Sequence, residues 1–94
     1  MFELRSDPSF TAWLSAIDAP VRQRVAARLI RVQFGNLGDH KMFGSIGEMR
    51  IDFGPGYRVY FTKRQNRIVI LLGGGSKKTQ TADIPAAKRL AEEY

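Results

Sequence analysis

The spacing of apolar residues changes several times along the chain, and each change marks an element. Phe2-Glu3-Leu4-Arg5 alternates apolar and polar, the period of a short strand. Phe10, Trp13, Leu14 and Ile17 then recur at i, i+3, i+4 and i+7, one apolar helical stripe. Asp7-Pro8 suits its start, because an Asp oxygen accepts from a free first-turn N–H and proline needs no donor there. Asp18-Ala19-Pro20 ends that helix and opens a second by the same chemistry. Val21, Val25, Leu29 and Val32 form the buried stripe of the second helix, while Arg24, Arg28 and Arg31 share another face. Gly35 suits the left-handed position that closes a helix. So short a break between the two predicts a helical hairpin.

The pattern after Gly35 is different. Residues 35–47 contain Gly35, Gly38, Gly44 and Gly47 around Asp39, His40 and Lys41, which predicts a loop long enough to be functional. Met49, Ile51 and Phe53 then face one way, and Glu48, Arg50 and Asp52 the other. Gly54-Pro55-Gly56 predicts a turn, with Tyr57-Arg58-Val59-Tyr60-Phe61 returning as a strand. A second turn around Arg64-Gln65-Asn66-Arg67 leads into Ile68-Val69-Ile70-Leu71-Leu72, apolar on both faces and therefore a central strand. Gly73-Gly74-Gly75 ends it, and Asp83-Ile84-Pro85 opens a last helix through Leu90 to about Glu93. The order is βααβββα. It predicts one α+β domain over residues 1–94, with the helices packed on one face of a mainly antiparallel four-stranded sheet.

Composition narrows the setting. The chain has 94 residues, 44% of them hydrophobic, which suits one core. No stretch of about 18 apolar residues offers a membrane span. The first residues lack the basic, apolar and small-residue zones of a signal peptide, and there is no cysteine, so a cytoplasmic protein is expected. Fifteen Lys and Arg against nine Asp and Glu give +6. The excess is uneven: residues 1–20 sum to −2, residues 21–67 to +7 and residues 68–94 to +1. A basic surface steers polyanions, of which nucleic acid is the commonest.

Several chemistries are excluded. A single histidine, His40, and no cysteine leave no zinc cluster. No nucleophile elbow surrounds a serine, and Gly73-Gly74-Gly75 lacks the lysine and hydroxyl of a P-loop. What remains is cationic. Arg50 stands beside Asp52, Arg58 lies on the neighbouring strand, Lys77 and Lys78 follow the central strand, and Lys41 lies in the loop before the hairpin. RNA carries its own nucleophile, the 2′-hydroxyl. A protein that cuts it needs to orient the strand, accept a proton, hold the charged phosphorane and protonate the leaving oxygen. Arginine provides a planar charged fork for phosphate oxygens. A lysine set among other cations becomes a candidate base near neutral pH.

The blocks Leu37-Gly-Asp-His-Lys-Met-Phe-Gly, Glu48-Met-Arg-Ile-Asp-Phe-Gly-Pro-Gly-Tyr-Arg-Val-Tyr-Phe, Leu71-Leu-Gly-Gly-Gly-Ser-Lys-Lys-Thr-Gln and Asp83-Ile84 together resemble the "addiction module killer protein" branch of the RelE/ParE toxins. HigB-type toxins are near relatives of that branch, and the resemblance covers essentially the whole chain. It implies a RelE-like fold and a toxin of a two-gene type II module. Its partners would be a cognate antitoxin carrying a helix-turn-helix DNA-binding domain, messenger RNA and the ribosomal A site. It implies ribosome-dependent RNA cleavage without metal or cofactor, by a catalytic set of Lys41, Arg50, Arg58, Lys77 and Lys78. Arg28, Arg31, Lys63 and Arg64 are the further basic positions expected to bind RNA. Where the branch reads Gly-Gly-Asp-Lys, this chain has Gly74-Gly75-Ser76-Lys77. ParE-like relatives share the fold but inhibit DNA gyrase by protein contact, which is the alternative reading.

Overall fold

The computed structural model describes residues 1–94. In chain order the elements are β1 (Glu3–Ser6), α1 (Pro8–Ala16), α2 (Ala19–Gln33), β2 (His40–Phe43), β3 (Ile46–Ile51), β4 (Tyr57–Arg64), β5 (Ile68–Ser76), a 3₁₀ turn (Lys77–Thr79) and α3 (Gln80–Ala91). The strands make one sheet in the order β1-β5-β4-β3-β2. Only β1 and β5 run parallel; every other neighbouring pair is antiparallel.

The sheet therefore has five strands, not four, and the order βααβββα lacks one of them. The missing strand is β2, inside the stretch expected to be a loop. Its four residues pair with β3 from His40↔Met49 to Phe43↔Ile46, around a turn at Gly44 (φ +65°). The density of glycines concealed it. Gly35 (φ +95°) and Gly38 (φ +68°) take left-handed backbone as loop glycines do, but Gly47 is a strand residue. A Cβ at Gly47 would collide with the Phe61 ring, so glycine there serves packing and not a turn.

The helical hairpin packs on one face, as expected. Phe10, Val21, Val25 and Val32 lie against Met49, Val59, Phe61, Val69 and Leu71. Asp7 caps α1 by accepting from the Ser9 N–H at 2.9 Å, with Pro8 at the first helical position. The third helix departs from the expectation. It covers the opposite face, where Ala87 and Ala91 meet Ile46, Tyr60, Ile70 and Leu72. β5 is accordingly apolar on both sides, as its sequence suggested, although β4 is the middle strand of the five.

α3 also begins earlier than Asp83. Ser76 and Thr79 cap each other reciprocally across the 3₁₀ turn, satisfying free N–H groups and letting the helix start at Gln80. Pro85 thus falls inside the helix. The donor it lacks would have served the carbonyl of Thr81, an exposed residue whose oxygen water can satisfy. Asp83, read as the cap, instead accepts from the Thr79 hydroxyl at 2.5 Å. Tyr94 ties the end of α3 to the domain: its hydroxyl donates to Asp7, and its carbonyl accepts from Arg64 Nε at 3.1 Å.

Candidate nucleic-acid interface

The site grows from the β3–β4 hairpin. Arg50 and Arg58 are direct cross-strand partners, so both side chains leave the sheet on the face that α3 covers. Gly54 (φ +57°) and Gly56 (φ +84°) hold left-handed backbone that closes the hairpin around Pro55. Two hydrogen bonds bring distant segments to that turn. The Lys77 N–H donates to the Gly56 carbonyl at 3.0 Å, and the Arg50 N–H to the Asp39 carbonyl at 2.9 Å. The result is a concavity of about 320 Å³ lined by Asp39, Arg50, Asp52, Gly54, Pro55, Gly56, Arg58 and Lys77.

Like charges directly opposite repel. The anion that reconciles Arg50 with Arg58 is Glu48, whose side chain is fully buried between them. Its Oε1 lies 3.0 Å from Arg58 Nε and accepts from Gln80 Nε2 at 2.7 Å; its Oε2 lies 3.7 Å from Arg50 Nε. Oε2 has no hydrogen bond, and Arg58 Nε meets Oε1 at ion-pair distance without hydrogen-bond alignment. Period two placed Glu48 on the polar face of β3, and α3 turns that part of the face into interior.

The two arginines consequently differ. The Arg58 side chain is 13% exposed and held against Glu48, so it builds the floor. Arg50 is 36% exposed, with Asp39 Oδ1 at 3.8 Å, and offers a guanidinium face to solvent. Lys77 is exposed and has no ion pair, its backbone anchored at the turn. Arg50 and Lys77 are therefore the cations a ligand would meet. The basin is not purely cationic, because Asp39 and Asp52 line it too. The whole chain carries +6, while the basin supplies paired donors and carboxylate acceptors.

The remaining basic positions do not converge there. Lys41 shares the face through its pairing with Glu48, but its Nζ lies over the Phe43 ring, 5.1 Å from the centroid. Lys78 is exposed on the 3₁₀ turn outside the lining. Arg28 is buried and engages three carbonyls, those of Leu37 (3.3 Å), Asp39 (3.2 Å) and Arg50 (2.7 Å). Burial and then the charge of Arg31 lower its pKa. It is a structural brace joining α2 to the basin's wall, which corrects its expected place among RNA-binding residues. Arg64 is engaged likewise with Ala91 (2.8 Å), Lys63 and Tyr94 carbonyls and the Thr62 hydroxyl. Lys63 Nζ lies over Phe2, 5.7 Å from the centroid, and Arg31 is exposed in the last turn of α2. Sequence reasoning missed Asp39 and Gln80, and it placed Glu48 only on the polar face of its strand. A carboxylate alternating with an arginine inside a strand was the one available cue.

No group of three His, Cys, Asp or Glu side chains is placed to hold a metal ion, and no helix is long and apolar enough to cross a membrane. Residues 12–93 match the model of a protein family described as phage derived protein Gp49-like (DUF891). A Haemophilus influenzae protein described only as uncharacterized is 44% identical over 93 residues, spanning 97% of this chain and 94% of its own length.

Proposed function

The chain belongs to the phage-derived Gp49-like family, and on that premise we propose that it is the toxin of a toxin–antitoxin module, a metal-independent endoribonuclease that cuts messenger RNA in the ribosomal A site. The observation that carries this reading is the pairing of two available cations, Arg50 and Lys77, over a floor that Glu48 and Arg58 hold rigid. A site that lets RNA break itself needs preorganised positive donors more than a nucleophile of its own.

In the proposed reaction the 2′-oxygen attacks phosphorus and the bond to the 5′-oxygen breaks, leaving a 2′,3′-cyclic phosphate and a 5′-hydroxyl. Arg50 holds two phosphate oxygens in its planar fork as charge builds. Asp39 and Asp52 are the acceptors in the basin for the 2′-hydroxyl proton, and the Lys77 ammonium is a donor for the departing oxygen. The cognate antitoxin, with a helix-turn-helix domain, is the partner this reading requires.

The test maps new 5′ ends on messenger RNA after expression and measures gyrase supercoiling in parallel. Cleavage falling by ~10²–10³ in Arg50→Ala and in Lys77→Ala, with unfolding unchanged, is the expected outcome. Intact transcripts with inhibited gyrase would overturn it in favour of the ParE-like alternative.

A further inference from the structure

A second concavity lies on the other side of β5 from the basin. β1 pairs with β5 only as far as Ser6↔Leu71, so Leu72–Gly74 has no strand beside it on that edge. α1 and α3 stand apart there and leave a cleft of about 270 Å³. One wall is the Trp13 indole, lying so close over Gly74 that a Cβ would run into the ring. Leu90 of α3 forms part of the other wall, and Gly73 leaves open space between them. The slot is smaller than the ~300–1,000 Å³ usual for a drug-sized ligand.

Tyr60 and Asp83 are polar residues of its lining. Tyr60 is 1% exposed, yet its hydroxyl has no hydrogen-bond partner, a state that ordinarily carries a penalty. Asp83 shares the same lining; its Oδ2 accepts from Thr79, and no hydrogen bond occupies Oδ1. Burial, then Asp83 and Glu48, push the Tyr60 pKa well above its ordinary value, so the hydroxyl stays a donor. A donor beside a carboxylate acceptor, in a slot walled by an indole, complements a planar ring with a carbonyl next to N–H groups. Among RNA components guanine matches best, with O6 toward Tyr60 and the N1–H and exocyclic amine toward Asp83. The cleft is linked to the basin through β4, because Tyr60 sits directly across from Glu48 and two residues, ~7 Å of strand, from Arg58.

The geometry points to this cleft as a nucleobase site that takes a guanine of the RNA substrate between Trp13 and α3. The inference names the substrate feature that the proposed ribonuclease would select, and it rests on that reading for its biological meaning. Its test does not require cleavage. Trp13 is the one tryptophan of the chain, so its fluorescence reports occupancy directly. The protein is titrated with GMP, AMP, CMP and UMP, which share the phosphate and differ only in the base. GMP should quench saturably, with an affinity ~10-fold or more above the other three, the discrimination usual for a good bidentate base contact. Asp83→Asn should remove that preference. Tyr60→Phe, which deletes an unpaired hydroxyl and keeps the ring, should weaken GMP several-fold without lowering the melting temperature.

Equal affinity for all four, no saturable quenching, or GMP binding unchanged in both variants overturns the inference. If Asp83→Asn does not fold, Tyr60→Phe decides alone. Transcript cleavage measured on the same preparations separates the two ideas. Cutting without GMP preference sinks the cleft and spares the ribonuclease, whereas GMP preference without cutting does the reverse.

Discussion

Removing Glu48 should cost more stability than any surface substitution. At 3.0 Å and an effective dielectric of ~20, the attraction between Glu48 and Arg58 is ~5–6 kcal/mol. Desolvating each ion costs several kcal/mol, so the intact pair contributes little net stability. Removing one partner is a different matter, because the other stays buried with its penalty uncompensated, at ~3–5 kcal/mol. Glu48→Leu leaves Arg58 in a site where it is only 13% exposed, and it also unmasks the repulsion from Arg50 directly opposite. A domain of this size has ~5–14 kcal/mol of total stability, and each kcal/mol moves its melting temperature by ~4–8 °C. Glu48→Leu should therefore lower the melting temperature by at least ~12 °C. Arg58→Met should also destabilise, by less, since Arg50 and Gln80 still face the carboxylate. The double variant should recover to within ~1–2 kcal/mol of the parent, as buried pairs replaced by apolar residues of similar volume commonly do. Thermal and urea unfolding of the four proteins complete a double-mutant cycle. Additive single effects, or a Glu48→Leu protein as stable as the parent, would refute this account of the floor.

Arg28→Met keeps the stem of the side chain but strips donors from three carbonyls, so urea unfolding should show ~2–4 kcal/mol lost; a change under ~0.5 kcal/mol would contradict the brace. Gly47→Ala drives a methyl into the Phe61 ring and Met42 Sδ and should cost ~1–3 kcal/mol, whereas an unchanged urea midpoint would show that the contact yields freely. Tyr94→Phe should weaken the dependence of stability on pH at both extremes. Burial opposes the Asp7 charge, but hydrogen bonds from Tyr94 and Ser9 outweigh it, so the folded pKa is lowered; its contribution is present above ~3.9 and lost as pH falls through the lower folded value. The bond to Asp7 raises the Tyr94 pKa, so that contribution is present below ~10 and lost as pH rises through the folded value. Melting curves across pH for parent and variant check both limbs, and parallel curves would dismiss the latch.

Most of the backbone was legible from local chemistry. Asp7-Pro8 opens α1, period two runs through Met49, Ile51 and Phe53, and Gly54-Pro55-Gly56 turns the chain, because each is decided within a few residues. β2 was not legible, since four residues among glycines carry too little pattern and the strand exists through its ladder to β3. The start of α3 was misjudged for a related reason. Asp83-Ile84-Pro85 carries the residue types of a helix start, but the reciprocal cap at Ser76 and Thr79 came first in the chain.

The candidate site divides the same way. Sequence by itself determined the charge surplus, the absence of thiol chemistry, and the placement of Arg50 and Arg58 on adjoining strands. Only tertiary structure decided which cations remain available. Arg28 and Arg64 look like Arg50 in sequence, yet long-range carbonyls engage the first two and leave the third facing a cavity. Glu48 became the keystone because α3 folds over it from 32 positions away. Burial and partnership are properties of segments brought together in space, and a guanidinium's role depends on what it is desolvated against, not on its neighbours along the chain.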